Sequence, residues 1–137
     1  MTPKNLKDFV REARSHIQEI SAAELEQRLA GEPELLVVDV REINEYRAGH
    51  IPGALLVPRG ILEGAADPDY PHRIEALCQA RTRPVVLYCK TGGRSALATY
   101  TLTQMGFAQV ASLMGGFELW ESDDRPVETG DSPRQSA

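Results

Sequence analysis

Residues 35–40 read Leu-Leu-Val-Val-Asp-Val, a compact and largely β-branched run without the alternation of a half-exposed strand. Such a run reads as a strand buried on both faces, and a strand of that kind needs helices above and below it. Val85-Val86-Leu87-Tyr88, following Pro84, is a second run of the same type. Residues 54–57 form a shorter one between Pro52-Gly53 and Pro58. Residues 109–113 predict a further strand, and residues 17–20 a short edge strand.

Helical patterns fill the gaps. In residues 5–16, Leu6, Phe9, Val10 and Ala13 share one face. Ser21 with Glu24 three positions on is a capping box, opening a helix through Leu25 and Leu29 that stops near Gly31. Residues 42–48 predict a short helix closed by Gly49, and residues 72–80 a helix with Ile74 and Leu77 inward, after a loop at 67–71. A helix over 96–105 carries a stripe of Leu97, Ala98, Thr101, Leu102 and Met105 and ends at Gly106. The last helix covers 117–121, with Trp120 in the core. Short strands alternating with helices predict an α/β sandwich with a mainly parallel sheet.

The chain has 137 residues, room for one domain, and its 42% hydrophobic content suffices for a core. Fifteen Lys and Arg against twenty Asp and Glu leave a net charge of −5, which argues against a generic binder of nucleic acid or anionic membrane. No apolar run approaches the roughly 20 residues of a membrane-spanning helix. The opening Met-Thr-Pro-Lys-Asn-Leu-Lys-Asp has neither the apolar core nor the cleavage site of a secretory signal. The expected location is cytoplasmic.

Ligands of parallel sheets sit beyond the carboxyl ends of the strands, and Cys89 falls at such an end. It opens Cys89-Lys90-Thr91-Gly92-Gly93-Arg94-Ser95, between a strand and a helix. The two glycines let the backbone curl with its amides inward, and the helix adds unpaired first-turn N–H groups and the positive end of its dipole. A sulfur at the mouth of that cradle is favoured as thiolate. Lys90 and Arg94 add positive charge suited to an anionic substrate. Nucleophile and small-anion site thus share one loop, although a glycine-rich turn holding an incidental cysteine has the same pattern. Cys78, in a helix without glycines, reads as an inert thiol. Lys90–Gly93, the stretch between Cys89 and Arg94, is a residue shorter than in the nucleophile loops of protein phosphatases. That tighter ring suits one added sulfur atom better than a phosphoryl group.

These residues, with several others in order, make the chain resemble the single-domain rhodaneses. The other matching signatures are Val38-Asp39-Val40-Arg41-Glu42 with Glu45-Tyr46, and Gly49-His50-Ile51-Pro52-Gly53-Ala54. Met105-Gly106-Phe107, Gly115-Gly116-Phe117 and Trp120 complete the set, and Pro58-Arg59-Gly60-Ile61-Leu62-Glu63 matches a subgroup. The resemblance implies a three-layer sandwich, a mainly parallel five-stranded sheet with helices on both faces, over residues 17–127. Residues 1–16 would be an N-terminal helical extension and residues 128–137 a flexible tail.

The resemblance also implies sulfur transfer. Cys89 would take the sulfane sulfur of thiosulfate or a related donor as a persulfide and pass it to a thiophile: cyanide in an assay, a thiol or acceptor protein in the cell. Lys90, Thr91, Gly92, Gly93, Arg94 and Ser95 would bind substrate, with Arg59 as a second substrate-facing cation. Asp39, Arg41 and His50 would support the site structurally, Asp39 and Arg41 as a salt-bridged pair. No cofactor is required, and no metal, since nothing is spaced to join His50 and Cys89. The alternatives are a non-enzymatic rhodanese-fold binding or regulatory module, a phosphatase or arsenate-type reductase, and a persulfide carrier feeding a biosynthetic pathway.

Overall fold

The computed structural model describes residues 2–131. Helix α1 (Leu6–Arg14) leads into β1 (Gln18–Ile20), α2 (Ala22–Gly31), β2 (Leu36–Asp39), α3 (Ile43–Ala48) and β3 (Leu55–Leu56). A 3₁₀ turn (Arg59–Ile61) and α4 (Leu62–Ala65) follow, then α5 (Glu75–Cys78) and a second 3₁₀ turn (Gln79–Thr82). The chain closes with β4 (Pro84–Tyr88), α6 (Gly93–Gln104), β5 (Gln109–Leu113) and α7 (Gly116–Ser122). The five strands lie in the order β1-β5-β4-β2-β3, and every pairing is parallel. β4 is central, with Val38 opposite Leu87 on one side and Val85 opposite Val110 on the other.

The strand pattern explains the three layers. Successive side chains of a strand point to opposite faces. Leu36 and Val38 of β2 join Val85, Leu87 and Cys89 in one core, against Leu62 of α4, Leu77 of α5 and Leu102 of α6. Val37, Val86 and Tyr88 point the other way, against Leu25 of α2, Tyr46 of α3 and Phe117 and Trp120 of α7. Trp120 is fully buried, and its Nε1–H donates to the Pro126 carbonyl at 2.7 Å.

Several elements depart from expectation. The helix over 72–80 shrinks to α5 and a 3₁₀ turn, because Ile74, its amide on the Ala65 carbonyl at 2.9 Å, is held in extended backbone and becomes the N-cap of α5. Helix α4 and the turn before it fall where no helix was expected. The expected capping box at α2 is half made, with Ser21 Oγ accepting from Glu24 N. A complete one stands at α1, where Asn5 and Asp8 cap each other's amides at 3.0 and 2.9 Å. Helix α1 packs on α6, with Ala13 buried, but Leu6 and Phe9 stay 70% and 49% exposed.

Part of the expected tail is also held. His50 and Glu128 exchange two 2.9 Å backbone hydrogen bonds, Gly130 N donates to Arg47 O, and Arg47 pairs with Asp131. Residues 132–137 lie outside the described residues. No helix among the described residues is long and apolar enough to cross a membrane.

Leu102 is fully buried between α6 and the sheet, so Leu102→Ala leaves a cavity as well as losing transfer energy. A loss of about 2–5 kcal/mol is expected in urea unfolding, and a loss under about 1 kcal/mol would contradict this packing.

Candidate active site

The chain leaves β4 at Tyr88 and enters α6 at Gly93, so Cys89–Gly92 forms a tight turn at the carboxyl edge of the central strand. Gly92 makes the turn with φ at +120°, a conformation that side chains strain. Its N–H donates to Cys89 Sγ at 3.1 Å, and the Ser95 N–H, in the first turn of α6, donates at 3.3 Å. Ser95 Oγ lies 3.5 Å from the same sulfur and 2.8 Å from Ser112 Oγ on β5. A sulfur surrounded by donors on one side is placed to carry negative charge. Cys89 is only 1% exposed, so the sulfur forms the floor of the cradle, whereas the sequence suggested its mouth.

Helix α7 holds the cradle open. Phe117 N donates to the Cys89 carbonyl at 2.8 Å and Glu118 N to the Lys90 carbonyl at 3.0 Å. With those carbonyls turned toward α7, the amides that follow are free to face the sulfur. Only glycine fits between the two segments. A Cβ on Gly116 would stand 2.5 Å from the Lys90 carbonyl oxygen and 2.6 Å from that of Cys89, and φ there is +58°.

Arg94 does not project into the cradle as a free cation. Its guanidinium forms a two-pronged pair with Glu45 of α3, at 2.9 and 3.1 Å. That contact, helped by the Glu42 amide, holds the Glu45 carboxyl down at about 2. Arg59 also departs from expectation. Its guanidinium meets Glu63 at 3.0 Å and Thr101 at 3.1 Å, and Thr101 stands some 12 Å along the α6 axis from Gly93. Lys90 and Thr91 are exposed on the rim.

Asp39 and Arg41 form a buried pair at 2.7 Å, and Arg41 reaches the Gly49 carbonyl at 2.7 Å and lies over the Phe117 ring at 4.5 Å. One guanidinium thus fastens the end of β2 to α3 and α7. His50 is fully buried, stacked on Tyr46 at 3.7 Å with Nδ1 on the Tyr46 carbonyl. Cys78 contacts the Ala65 carbonyl, away from any such donors, and burial pushes its thiol up. No group of three or more His, Cys, Asp or Glu among the described residues is placed to hold a metal ion.

Residues 21–123 match the family model for the rhodanese-like domain. This chain belongs to the rhodanese family. It is 34% identical over 111 residues to a sulfurtransferase of Allochromatium vinosum, covering 81% of this chain and 94% of that one. It is 30% identical to the thiosulfate sulfurtransferase GlpE of Pseudoalteromonas translucida, covering 69% and 80%. Some relatives are longer, and the chain spans 60% of one and 25% of another. Among solved structures, a Rhodopseudomonas palustris protein of unknown function, described as a possible tyrosine phosphatase, superposes with a TM-score of 0.84. It is 33% identical, with 93% of this chain and 97% of that one covered.

Sequence reasoning assigned no role to Glu45, Ser112 or Gly116. Glu45 and Gly116 lay inside matching signatures, whereas no signal marked Ser112 before the β5–α6 register was known.

The Arg94–Glu45 pair predicts a pH dependence. A carboxyl at about 2 in the fold and near 4.5 when free adds stability above 4.5 that fades as pH falls toward 2. Urea unfolding of wild type and Glu45→Gln should therefore differ most at neutral pH and converge toward pH 2. A gap independent of pH would show that the pair does not bind the loop to α3.

Proposed function

We propose that the protein moves sulfane sulfur from thiosulfate or a related anionic donor to a thiophilic acceptor through a persulfide on Cys89. The observation that carries this reading is the pair of N–H donors, Gly92 and Ser95, aimed at Cys89 Sγ. The sulfurtransferase names of the relatives support it. In the first step the Cys89 thiolate attacks the sulfane sulfur. A new S–S bond forms as the donor's S–S bond breaks, and sulfite leaves with the bonding pair. In the second step the thiophile attacks the outer sulfur of the persulfide, and the Cys89 thiolate departs with its electrons. Cyanide then leaves as thiocyanate, and a thiol leaves as a persulfide after losing its proton. This is covalent catalysis by double displacement.

The chain's own groups do the rest. The first-turn amides of Gly93 and Arg94 have no acceptor within α6 and stand ready for the outer sulfur. Preorganised N–H dipoles stabilise the charge that both sulfurs carry, with no reorganisation during transfer. Ser95 Oγ accepts from the Cys89 thiol at 3.5 Å and donates to the Gly92 carbonyl at 3.2 Å, with Ser112 Oγ 2.8 Å behind it, so the two hydroxyls brace the turn. The described phosphatase relationship of the Rhodopseudomonas palustris neighbour favours an alternative, phosphate-ester hydrolysis. The short Lys90–Gly93 stretch counts against it, because a phosphoryl group needs a wider ring.

Intact mass after incubation with thiosulfate tests the reading. The gain of one sulfur atom is expected, reversed by cyanide or dithiothreitol, absent in Cys89→Ser and kept in Cys78→Ser. Hydrolysis of a phosphate ester with no sulfur adduct would overturn it.

A further inference from the structure

Two clefts flank the Cys89 loop, and their charges are opposite. The one beside α7, about 270 Å³, carries Arg41 and Lys90 but also Glu45, Glu118 and Glu121. The other, about 510 Å³, lies between α1 and the loop. Lys7, Arg11 and Arg14 of α1 face Thr91 and Gly93 across it, and no carboxylate lines it. Arg14 reaches furthest in. A Cβ on Gly92 would stand 3.3 Å from Arg14 Nη2, so this guanidinium lies against the residue whose N–H donates to the Cys89 sulfur.

The loop needs such outside cations. Arg94 is held by Glu45, Arg59 by Glu63 and Thr101, and Lys90 stands in the acid-rich cleft. An anion arriving at the loop therefore meets repulsion on the α7 side and attraction on the α1 side. Arg11 and Arg14 have carboxylate neighbours, Asp8 at 3.3 Å and Glu19 at 3.7 Å, but both arginine side chains are exposed and the pairs are correspondingly weak. Helix α1 precedes residue 21, where the family match begins.

We propose that α1 supplies the binding site for the charged end of an anionic sulfur donor, with Lys7 and Arg14 as the donor-positioning cations. The donor's oxyanion group sits in the α1 cleft while its sulfane sulfur faces the Gly92–Gly93 turn. As the donor's S–S bond breaks, the same cations hold the charge of the departing oxyanion. This assignment takes its chemical meaning from the reading of Cys89 as sulfur acceptor. The anion site is testable without that chemistry.

The test uses the full chain carrying Cys89→Ser, titrated with sodium thiosulfate at low salt and followed by amide chemical shifts. Saturable shifts at Thr91 and Gly93 are expected. Lys7→Gln with Arg14→Gln should weaken binding about tenfold, and Lys7→Arg with Arg14→Lys should restore most of it. Should Arg14→Gln disturb the fold, Lys7→Gln alone should weaken binding about threefold. Equal affinity with and without the charges, shifts centred on Lys90 and Glu118, or no saturable shift would overturn the assignment. Sulfur uptake separates the two claims. Charge-dependent binding without any adduct on wild-type Cys89 refutes sulfur transfer and leaves the anion site standing. An adduct that forms equally fast in the Lys7→Gln, Arg14→Gln protein does the reverse.

Discussion

Two backbone N–H groups directed at one sulfur organise this molecule's chemistry. Gly92 and Ser95 can donate to Cys89 only if the chain turns back on itself as soon as it leaves β4. That turn is stable because α7 binds the other half of the backbone, pairing its second and third amides, Phe117 and Glu118, with the Cys89 and Lys90 carbonyls. Carbonyls to one side and amides to the other make a loop with a positive interior. The parallel sheet supplies the remaining requirement, since β4 is its central strand and delivers Cys89 to the edge where α6 begins.

Charge around this loop is divided by role. Arg41 is almost wholly buried on Asp39 and works as a fastener between β2, α3 and α7. Arg94 does similar work for α3 and α6 through Glu45. In both, the planar guanidinium meets a carboxylate with two N–H donors side by side, a fixed geometry that a lysine ammonium does not offer. With those two arginines committed to structure, Lys7, Arg11 and Arg14 of α1 form the cationic lining of the cleft beside the loop. The whole chain is acidic, so attraction of an anion here is local.

Sheet and helices were legible because strands buried on both faces leave long apolar runs, and helices leave stripes. Cys89 and its glycines were legible for a related reason, since a tight turn at a strand end permits few residue types. The partners of charged side chains were not. Arg94 and Glu45 are distant in sequence, and only the packing of α3 against α6 reveals that they meet. Arg59 was named for its charge, but its direction depends on α4, a helix with no periodic signal of its own. The helix expected over 72–80 failed for the same reason, because a tertiary hydrogen bond to Ala65 outweighed local pattern. Residues 128–131 read as loose because composition encodes neither their main-chain bonds to His50 and Arg47 nor the long-range Arg47–Asp131 pair.

A crystal structure of the protein after soaking in thiosulfate addresses the central claim most directly. The account predicts one extra sulfur atom bonded to Cys89 Sγ, lying within about 3.5 Å of the loop amides that run from Gly92 into the first turn of α6. An extra sulfur turned instead toward Leu87, Ala98 and Leu102, or attached at Cys78 with Cys89 untouched, would contradict it.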